Sequence, residues 1–356
     1  MTVEASDNFH LPESIFSEDT VRLIGCYEKV EQIIRGEVPP PETIELFVSN
    51  TCNFSCPHCL FLRSHNQSEQ VFMPLGKAMS VLEEARSRGV RACEFSGGGE
   101  PLMHPDFIQL VKFAGTLGFQ VGIITNGTLL TRPNMAEVIA RYCAWLRVSL
   151  DAGTADVYRR VHGQGADFDQ VLTGITALLV AREALNGRLR IGLKFLLSKL
   201  NISDYNHAID LAAQLGVDYI YFKAAVRCKQ ELNLSEKREV FSQISETAAH
   251  YGANSPKVGM FCRLTGKLPD CILSPLHALV DYDGSIYVCP FFVHRREKHL
   301  IGNVKNGGLF AHWSGPTHKA QIAAINPTEC NPDCPMVKFD PIVEFIRQQS
   351  DLFAFF

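Results

Sequence analysis

The sequence lacks both a long apolar run and an excess of positive charge. No window approaches the roughly 20 consecutive apolar residues that span a bilayer, and residues 1–16 contain no basic segment followed by an apolar stretch. The formal net charge is -4, so no overall positive field attracts a polyanion. We therefore expect a cytoplasmic protein that binds neither nucleic acid nor membrane and acts on a small molecule or a peptide.

Internal repeats and low-complexity tracts are also absent, whereas cysteine is plentiful. The 356 residues include 12 cysteines, and 46% of the chain is hydrophobic, which is enough for a substantial core. In a reducing compartment a disulfide framework is not expected. Clusters of cysteine therefore indicate metal or redox chemistry, and isolated cysteines need no such explanation.

Strand patterns alternate with helical patterns between residues 43 and 222. The predicted strands are 43–50, 90–96, 119–125, 145–150, 188–198 and 217–222, and the helices between them are 75–89, 105–118, 133–143, 167–185 and 203–215. This alternation predicts parallel βα units with right-handed crossovers. Six units are too few for a closed eight-stranded barrel, so the predicted fold is an α/β partial (β/α)6 TIM-like barrel.

Polar motifs follow four of these strands at the point where each strand ends. They are the cysteine loop "CNFSCPHC" (52–59), the glycine loop "SGGGEPLMHP" (96–105), "TNGT" (125–128) and "VSLDAG" (148–153). Ligands of parallel α/β folds bind at the carboxyl ends of the strands. We expect the four motifs to form one site.

The cysteine loop offers three thiolates to a metal centre. A 4Fe–4S cluster takes one protein ligand per iron, so Cys52, Cys56 and Cys59 would leave one iron open. Zinc is an alternative, with His58 or a distant residue as the fourth ligand. A second alternative is three unrelated packed cysteines.

The glycine loop adds specificity. Three glycines permit close approach of the backbone to a ligand, and Glu100 presents an acceptor suited to an ammonium group, although a tight βα turn also explains such a run. Together with Cys52, Cys56 and Cys59, this loop resembles the radical S-adenosylmethionine (SAM) superfamily over residues 43–225.

The resemblance implies a role for each matching residue. SAM would bind the open iron, Gly98, Gly99 and Glu100 would hold its amino group, and His58 would contact its adenine. The predicted contacts to the ribose or carboxylate are Asn126, Ser149, Asp151 and Arg160. Alternatively, Ser149 and Asp151 cap the next helix, and Arg160 is a solvated helix residue. Lys194 and Lys223 are candidates to face the barrel cavity, or are solvent-facing strand residues.

A second set of cysteines lies downstream. Asp283-Gly284 signals a hairpin turn in "DYDGSIYV", and this hairpin would bring Cys271 and Cys289 together. With Cys330 and Cys334 they form a four-thiolate site, for which zinc is an alternative. The spacing resembles the SPASM and twitch extensions of radical SAM enzymes, which implies one auxiliary 4Fe–4S cluster. Cys262 is a substitute ligand, a hydrogen donor or an incidental buried thiol.

These patterns predict five segments. They are a helical lead-in (1–42), the barrel (43–230), a helical linker (231–260), a twitch-like cluster domain built from a hairpin and a helix (261–340), and a C-terminal tail (341–356).

The resemblance also implies an activity. A 5′-deoxyadenosyl radical would abstract hydrogen from the substrate, and electron transfer to the auxiliary cluster would make the net reaction an oxidation. By analogy with twitch-containing cyclitol dehydrogenases, we expect an oxidoreductase that converts an alcohol to a ketone on a carbohydrate-like or aminocyclitol metabolite in natural-product biosynthesis. Flavodoxin or ferredoxin would supply electrons. Three alternatives stay open: a redox-neutral epimerase, decarboxylase or dehydratase acting on a sugar or nucleoside, a peptide-modifying enzyme, and a zinc-stabilised binding module.

Overall fold

The structure is a computed structural model that describes most of the chain. The described residues are 23–61, 69–163, 166–251, 256–261, 271–289, 296–330, 334, 336 and 339–349. Cys262, a predicted substitute ligand, lies outside them, as do residues 1–22 of the lead-in and 350–356 of the tail.

Six parallel strands form the centre of a ten-stranded sheet. They are β1 (Thr43–Phe47), β2 (Ala92–Ser96), β3 (Gln120–Thr125), β4 (Cys143–Ser149), β5 (Arg190–Leu197) and β6 (Tyr219–Ala224). Each pairs in parallel with the next along the chain. The predicted partial barrel of six parallel units is therefore confirmed.

Helices cover the outer face of these strands. After α1 (Tyr27–Ile34) they are α2 (Leu75–Ser87), α3 (Phe107–Thr116), α4 (Met135–Tyr142), α5 (Ala155–His162), α6 (Phe168–Ala184) and α7 (Tyr205–Leu215). Outward-facing strand residues are fully buried, as where Phe95 of β2 contacts Phe107 of α3 at 5.5 Å between ring centroids. The alternate residues Glu94, Arg147 and Lys194 stay half-buried. Because side chains alternate along a strand, they line the inner face, here called the lumen.

The sheet continues beyond the six central strands. Helix α8 (Leu234–Tyr251) leads into β7 (Lys257–Phe261), which pairs in parallel with β6. Segment 231–260 thus contains most of a strand as well as a helix. On the other side β8 (His277–Val280) pairs in parallel with β1 and antiparallel with β9 (Ser285–Tyr287). The predicted hairpin is present, and its Gly284 takes the positive φ of 89° that glycine favours.

The chain ends with smaller elements. They are α9 (Arg296–His299), β10 (Leu300–Asn303) beside β9, α10 (Pro316–Ala323) and α11 (Asp340–Gln349). Glu84 of α2 accepts hydrogen bonds from the backbone N–H groups of Leu309 and Phe310 at 2.7 and 3.0 Å. These bonds fasten the C-terminal part to the barrel. Within the described ranges no helix is both long and apolar enough to cross a membrane.

A second, smaller apolar core lies at the N-terminal end of β1. It joins Val30 and Ile33 of α1 to Leu273, Leu276 and Val343. The N–H of residue 42, directly before β1, donates to the Leu276 carbonyl at 2.9 Å. Residues just after Cys271 are therefore packed at the end of β1 that is opposite to the cysteine loop.

Candidate active site

The cysteine loop leaves the carboxyl end of β1, and the charges of its three cysteines influence one another. Cys52, Cys56 and Cys59 are all half-buried. Burial, with the charge of Glu100 next, raises the pKa of Cys52 to about 12, and Cys59 adds to the rise. Burial also raises the pKa of Cys56, with Asp151, Cys59 and Cys52 contributing. The negative charges of three thiolates in one loop repel one another. A cationic metal centre would stabilise them, because metals bind the thiolate form of cysteine.

The glycine loop packs directly on the backbone that precedes Cys52. A Cβ on Gly99 would lie 2.1 Å from the Thr51 carbonyl oxygen, and one on Gly98 would lie 3.0 Å from that of Ser49. The Glu100 N–H also donates to the Thr51 carbonyl at 2.8 Å. Glycine is required here because any side chain would push the cysteine loop away.

Glu100 is held by donors from three residues, two of them backbone N–H groups. Its buried carboxylate accepts hydrogen bonds from the Thr125 hydroxyl at 2.6 Å and from the N–H groups of Asn126 and Leu102 at 2.7 and 3.1 Å. Burial raises the pKa of Glu100 to about 7 although these bonds oppose the shift. The side chain thus joins the glycine loop to the end of β3.

Asn126 connects the end of β3 to the cysteine loop. Its Nδ2 donates to Asn53 Oδ1 at 2.8 Å, and its Oδ1 accepts from the Thr128 hydroxyl at 2.7 Å. Asn53 Nδ2 in turn donates to the Thr128 hydroxyl at 2.9 Å. This network holds the loop between the first two cysteines against the β3 end.

His58 and Asp151 form a buried pair beside the third cysteine. His58 Nε2 lies 3.4 Å from Asp151 Oδ2, and Asp151 Oδ1 accepts the Leu196 N–H at 2.6 Å. Burial alone would raise the pKa of Asp151, but the hydrogen bond and charge of His58, with Lys194, lower it overall. His58 Nδ1 is buried without a partner among the described residues. Such an orphaned atom fits a site that a ligand completes.

One alternative expected Ser149 and Asp151 to cap α5, but neither side chain does so. The Asp204 carboxylate instead accepts the N–H groups of Gly153 and Thr154 at 2.6 and 3.1 Å. Ser149 is half-buried at the carboxyl end of β4, where it lies opposite Lys194 of β5. Its predicted contact to SAM stays a prediction.

His162 of α5, which the sequence analysis missed, contacts a cysteine of the loop. Its Nδ1 lies 3.0 Å from Cys56 Sγ, and its Nε2 donates to the Leu150 carbonyl at 2.9 Å. Arg160 is exposed on the same helix. The apolar positions Val157 and Val161 mark the buried face, so helical spacing could have placed His162 there.

Lys194 extends the site into the lumen, as one reading of the sequence expected. Burial lowers the pKa of Lys194, and the opposing charges of Asp151, Cys59 and Cys56 reduce that shift. The cysteine loop and the inner face of β5 therefore share one electrostatic environment. Lys223, on β6, is half-buried on the same face.

Two members of the second cysteine set, Cys271 and Cys289, flank the hairpin. Cys271 precedes β8 and Cys289 follows the antiparallel β9, so both lie beyond the N-terminal end of β8. Arg227 donates to the Cys330 carbonyl at 3.3 Å, and Cys334 lies two residues before Met336 of the second core. Across the part of the chain that the structure describes, no three His, Cys, Asp or Glu side chains are placed to hold one metal ion. This holds for the cysteine loop as well as for the second cysteine set, so the metal-ligand roles of both sets stay predictions.

Comparison with known proteins agrees with this geometry. Residues 46–184 match the radical SAM superfamily. Over 300 residues the chain is 25% identical to the mycofactocin maturase MftC of Mycobacterium ulcerans (strain Agy99), covering 79% of this chain and 76% of MftC. It is 27% identical over 166 residues to an S-adenosylmethionine-dependent nucleotide dehydratase of Selenomonas ruminantium, covering 45% of this chain and 58% of the dehydratase.

The fold is similar to that of Streptococcus suis SuiB bound to precursor peptide SuiA. The TM-score is 0.68 at 14% sequence identity, and the superposition covers 95% of this chain and 79% of SuiB. The family match contains both the cysteine loop and the glycine loop. Residues 46–184 therefore match a radical SAM domain, whose cofactors are SAM and a 4Fe–4S cluster.

Proposed function

We propose that this protein is a radical SAM oxidoreductase that converts an alcohol to a ketone on a small carbohydrate-like or aminocyclitol metabolite. One observation carries the proposal: Cys271 and Cys289 lie at the end of the strands opposite to the cysteine loop. The loop with Cys52 follows the carboxyl end of β1, whereas Cys271 and Cys289 lie beyond the N-terminal end of the neighbouring β8.

The residues at the carboxyl end suit the SAM site. Cys52, Cys56 and Cys59 would hold the cluster, the Gly98-Gly99 backbone would receive the amino group of SAM, and the unpaired His58 Nδ1 would face its adenosyl part. When bound, these cofactors supply hydrogen-atom abstraction from an unactivated carbon. Asn126 and Asp151 hold the surrounding loops in place through their hydrogen bonds. Ser149 would add a polar contact at this end of the lumen, and Arg160 would need to turn inward to do so.

The second cysteine set suits an electron acceptor. Oxidation of an alcohol to a ketone removes two electrons and two protons, and hydrogen abstraction accounts for only one of each. Cys271, Cys289, Cys330 and Cys334 would hold an auxiliary 4Fe–4S cluster in which every iron has a protein ligand. Such a cluster has no open iron for substrate, so electron transfer is its expected role. Flavodoxin or ferredoxin is the expected source of electrons for the SAM site.

Anaerobic turnover tests this proposal. Reconstituted wild-type protein should contain about eight irons and, with SAM, dithionite and an aminocyclitol substrate, should form 5′-deoxyadenosine and a ketone two mass units lighter. Cys52→Ala should abolish both products. The double variant Cys271→Ala/Cys289→Ala should keep about four irons and 5′-deoxyadenosine formation but lose the ketone. Retention of the ketone in this variant contradicts the oxidative role.

A second candidate is the modification of a peptide. It is supported by the similarity of the fold to SuiB with its precursor peptide bound and by the match to the MftC maturase. The same anaerobic assay with a peptide library separates the two candidates by the mass of the modified species. A redox-neutral reaction would instead show deuterium from solvent in a product of unchanged oxidation state.

A further inference from the structure

Besides Lys194 and Lys223, the lumen contains four charged side chains that the SAM site does not use. They are Glu45 on β1, Glu94 on β2, Arg147 on β4 and His277 on β8, here called the lumen cluster. The residues next to each of them along the strands pack into the core, so all four side chains project from the inner face. Formal charges of the two carboxylates and two basic groups sum to zero when His277 is protonated.

Half of the lumen cluster is already paired. Glu45 is buried, with 7% of its surface exposed. One carboxylate oxygen accepts a short hydrogen bond from the Ser96 hydroxyl, and the other accepts from His277 Nε2 at 2.8 Å. Burial lowers the pKa of His277, but this bond and the charge of Glu45 raise it overall. Glu45 and His277 therefore satisfy each other.

The other half, Glu94 and Arg147, has no such partners. Among the described residues the Glu94 carboxylate accepts no hydrogen bond and forms no ion pair within 4 Å. Arg147 Nε is buried without a hydrogen-bond partner, and its guanidinium lies 5.6 Å from the Trp145 ring. Buried charged groups normally pair or bind a ligand, because desolvation without a partner is costly.

The cost is largest at Glu94. Burial, and next the charge of Glu45, raise the pKa of Glu94 to about 7, while Arg147 and His277 oppose the rise. Glu45 and Glu94 lie directly opposite each other on adjacent strands, where like charges destabilise a sheet. A cation placed at Glu94 would offset both burial and this repulsion, whereas a hydroxyl would donate a hydrogen bond but would not offset the repulsion between the two charges.

Aromatic rings shape the wall around these groups. The Trp145 indole lies over Gly122 of β3, where a Cβ would approach it to 2.3 Å, and the Tyr219 ring lies over Gly192 of β5 in the same way. Gly122 therefore leaves room for the Trp145 ring over β3, the strand between those that carry Glu94 and Arg147. The Tyr219 ring lies further along the same wall, on β6.

From these contacts we propose that the substrate carries an amine, which binds Glu94 as an ammonium, and a nearby oxygen, which accepts a hydrogen bond from Arg147. The inference rests on the proposed radical SAM function and narrows its substrate class to amino alcohols. In aminocyclitols and amino sugars the oxygen that accepts from Arg147 would be an uncharged hydroxyl. A zwitterionic amino acid shares the chemistry and is a separate outcome below.

Binding measurements on the reconstituted, SAM-loaded enzyme test the proposal without reductant. The probes are matched pairs that differ only by an amine in place of a hydroxyl: scyllo-inosamine with scyllo-inositol, and glucosamine with glucose. Anaerobic calorimetry should show each amine binding at least roughly tenfold more tightly than its partner, as expected for a charge-assisted hydrogen bond.

The isosteric variant Glu94→Gln should remove this preference and leave SAM binding unchanged. Glu137→Gln, on the exposed face of α4, is the matched control and should keep the preference. Arg147→Gln should weaken an amine and its hydroxyl partner by similar factors. Tighter binding of serine than of scyllo-inosamine and glucosamine would identify a zwitterionic amino acid as the substrate class. It would still support the ammonium site if Glu94→Gln removed the binding of serine.

The proposal is overturned if no amine binds more tightly than its hydroxyl or deaminated counterpart, or if Glu94→Gln leaves the preference intact. Either result would leave the proposed function standing as long as the wild-type enzyme still cleaves SAM. Loss of SAM cleavage itself would instead count against the proposed function.

Discussion

His162 Nδ1 lies 3.0 Å from Cys56 Sγ, so a buried imidazole contacts the middle cysteine of the loop. The other ring nitrogen donates to the Leu150 carbonyl at 2.9 Å, which fixes the ring between the end of β4 and the cysteine loop. Burial lowers the pKa of His162 overall, as expected for a ring without water around it. Helix α5 therefore contacts the cysteine loop through His162 and through Tyr158, whose ring centroid lies 6.2 Å from that of Phe54.

Replacing His162 should weaken cluster incorporation. His162→Phe keeps the ring volume but removes the contact to Cys56 and leaves the Leu150 carbonyl without its donor, which should cost about 1–3 kcal/mol of unfolding free energy. We expect a lower iron content after reconstitution and a lower urea midpoint. The control is Arg160→Ala on the exposed side of the same helix. A larger loss of SAM affinity in Arg160→Ala than in His162→Phe would support the predicted assignment of Arg160 to the SAM site.

Gly99 should be intolerant of any side chain, unlike its neighbour Gly97. In Gly99→Ala the new Cβ would lie 2.1 Å from the Thr51 oxygen, so the cysteine loop must move. Overpacking of this kind costs about 1–3 kcal/mol or more. We expect Gly99→Ala to lose most of its reconstituted iron, measured with a ferrous chelator, while circular dichroism still shows a folded barrel.

Gly97→Ala is the matched control for this substitution. The nearest atom to a Cβ on Gly97 would be the Gly99 carbonyl oxygen at 3.9 Å, and the φ of Gly97 is not positive. Its iron content should equal that of the wild type. Equal iron in both alanine variants would show that the glycine loop does not support the cysteine loop.

Local sequence patterns predicted the six central strands and the hairpin well, because both depend on periodicity and turn residues close in the chain. The close approach of the glycine-loop backbone was also predicted, since three consecutive glycines after a strand permit it. Arg160 and His162 show the limit. Both lie in "RRVHG", where helical spacing puts His162 on the buried face and Arg160 on the exposed one, but only the three-dimensional path of α5 brings His162 to Cys56. Side-chain direction on a short helix depends on packing that a motif does not encode.

Long-range partners were beyond sequence reasoning altogether. Glu45 pairs with His277 across 232 positions, and Glu84 binds the backbone at Leu309 across 225. Nothing local distinguishes Glu84 from the exposed Glu83 beside it. The parallel pairing of β8 with β1 creates the first contact, and the docking of the segment after β10 creates the second.

Glu84 should carry much of the attachment of the C-terminal part to the barrel. Its carboxylate accepts the N–H groups of Leu309 and Phe310, and Glu84→Ala would leave the buried Leu309 N–H unsatisfied, at a cost of about 1–3 kcal/mol. We expect faster hydrogen exchange at residues 309–313 and a lower urea midpoint. The exposed Glu83→Ala is the matched control. Unchanged exchange in Glu84→Ala would show that the apolar contacts of Trp313 suffice.

Glu100 should make the metal-free protein less stable as the pH rises. Burial raises the pKa of Glu100 from 4.5 to about 7, so between these values the folded chain binds a proton that the unfolded chain has released. The free energy of unfolding therefore falls with rising pH across this window, by about 1.4 kcal/mol per pH unit at most. Glu100→Gln keeps the shape and cannot ionise, so it should lack this contribution. Urea unfolding of both proteins at pH 5, 6, 7 and 8 in a thiol reductant gives their difference in stability. That difference should move in favour of Glu100→Gln by roughly 2–3 kcal/mol between pH 5 and pH 8, whereas parallel curves would show that the carboxylate stays ionised in the folded protein.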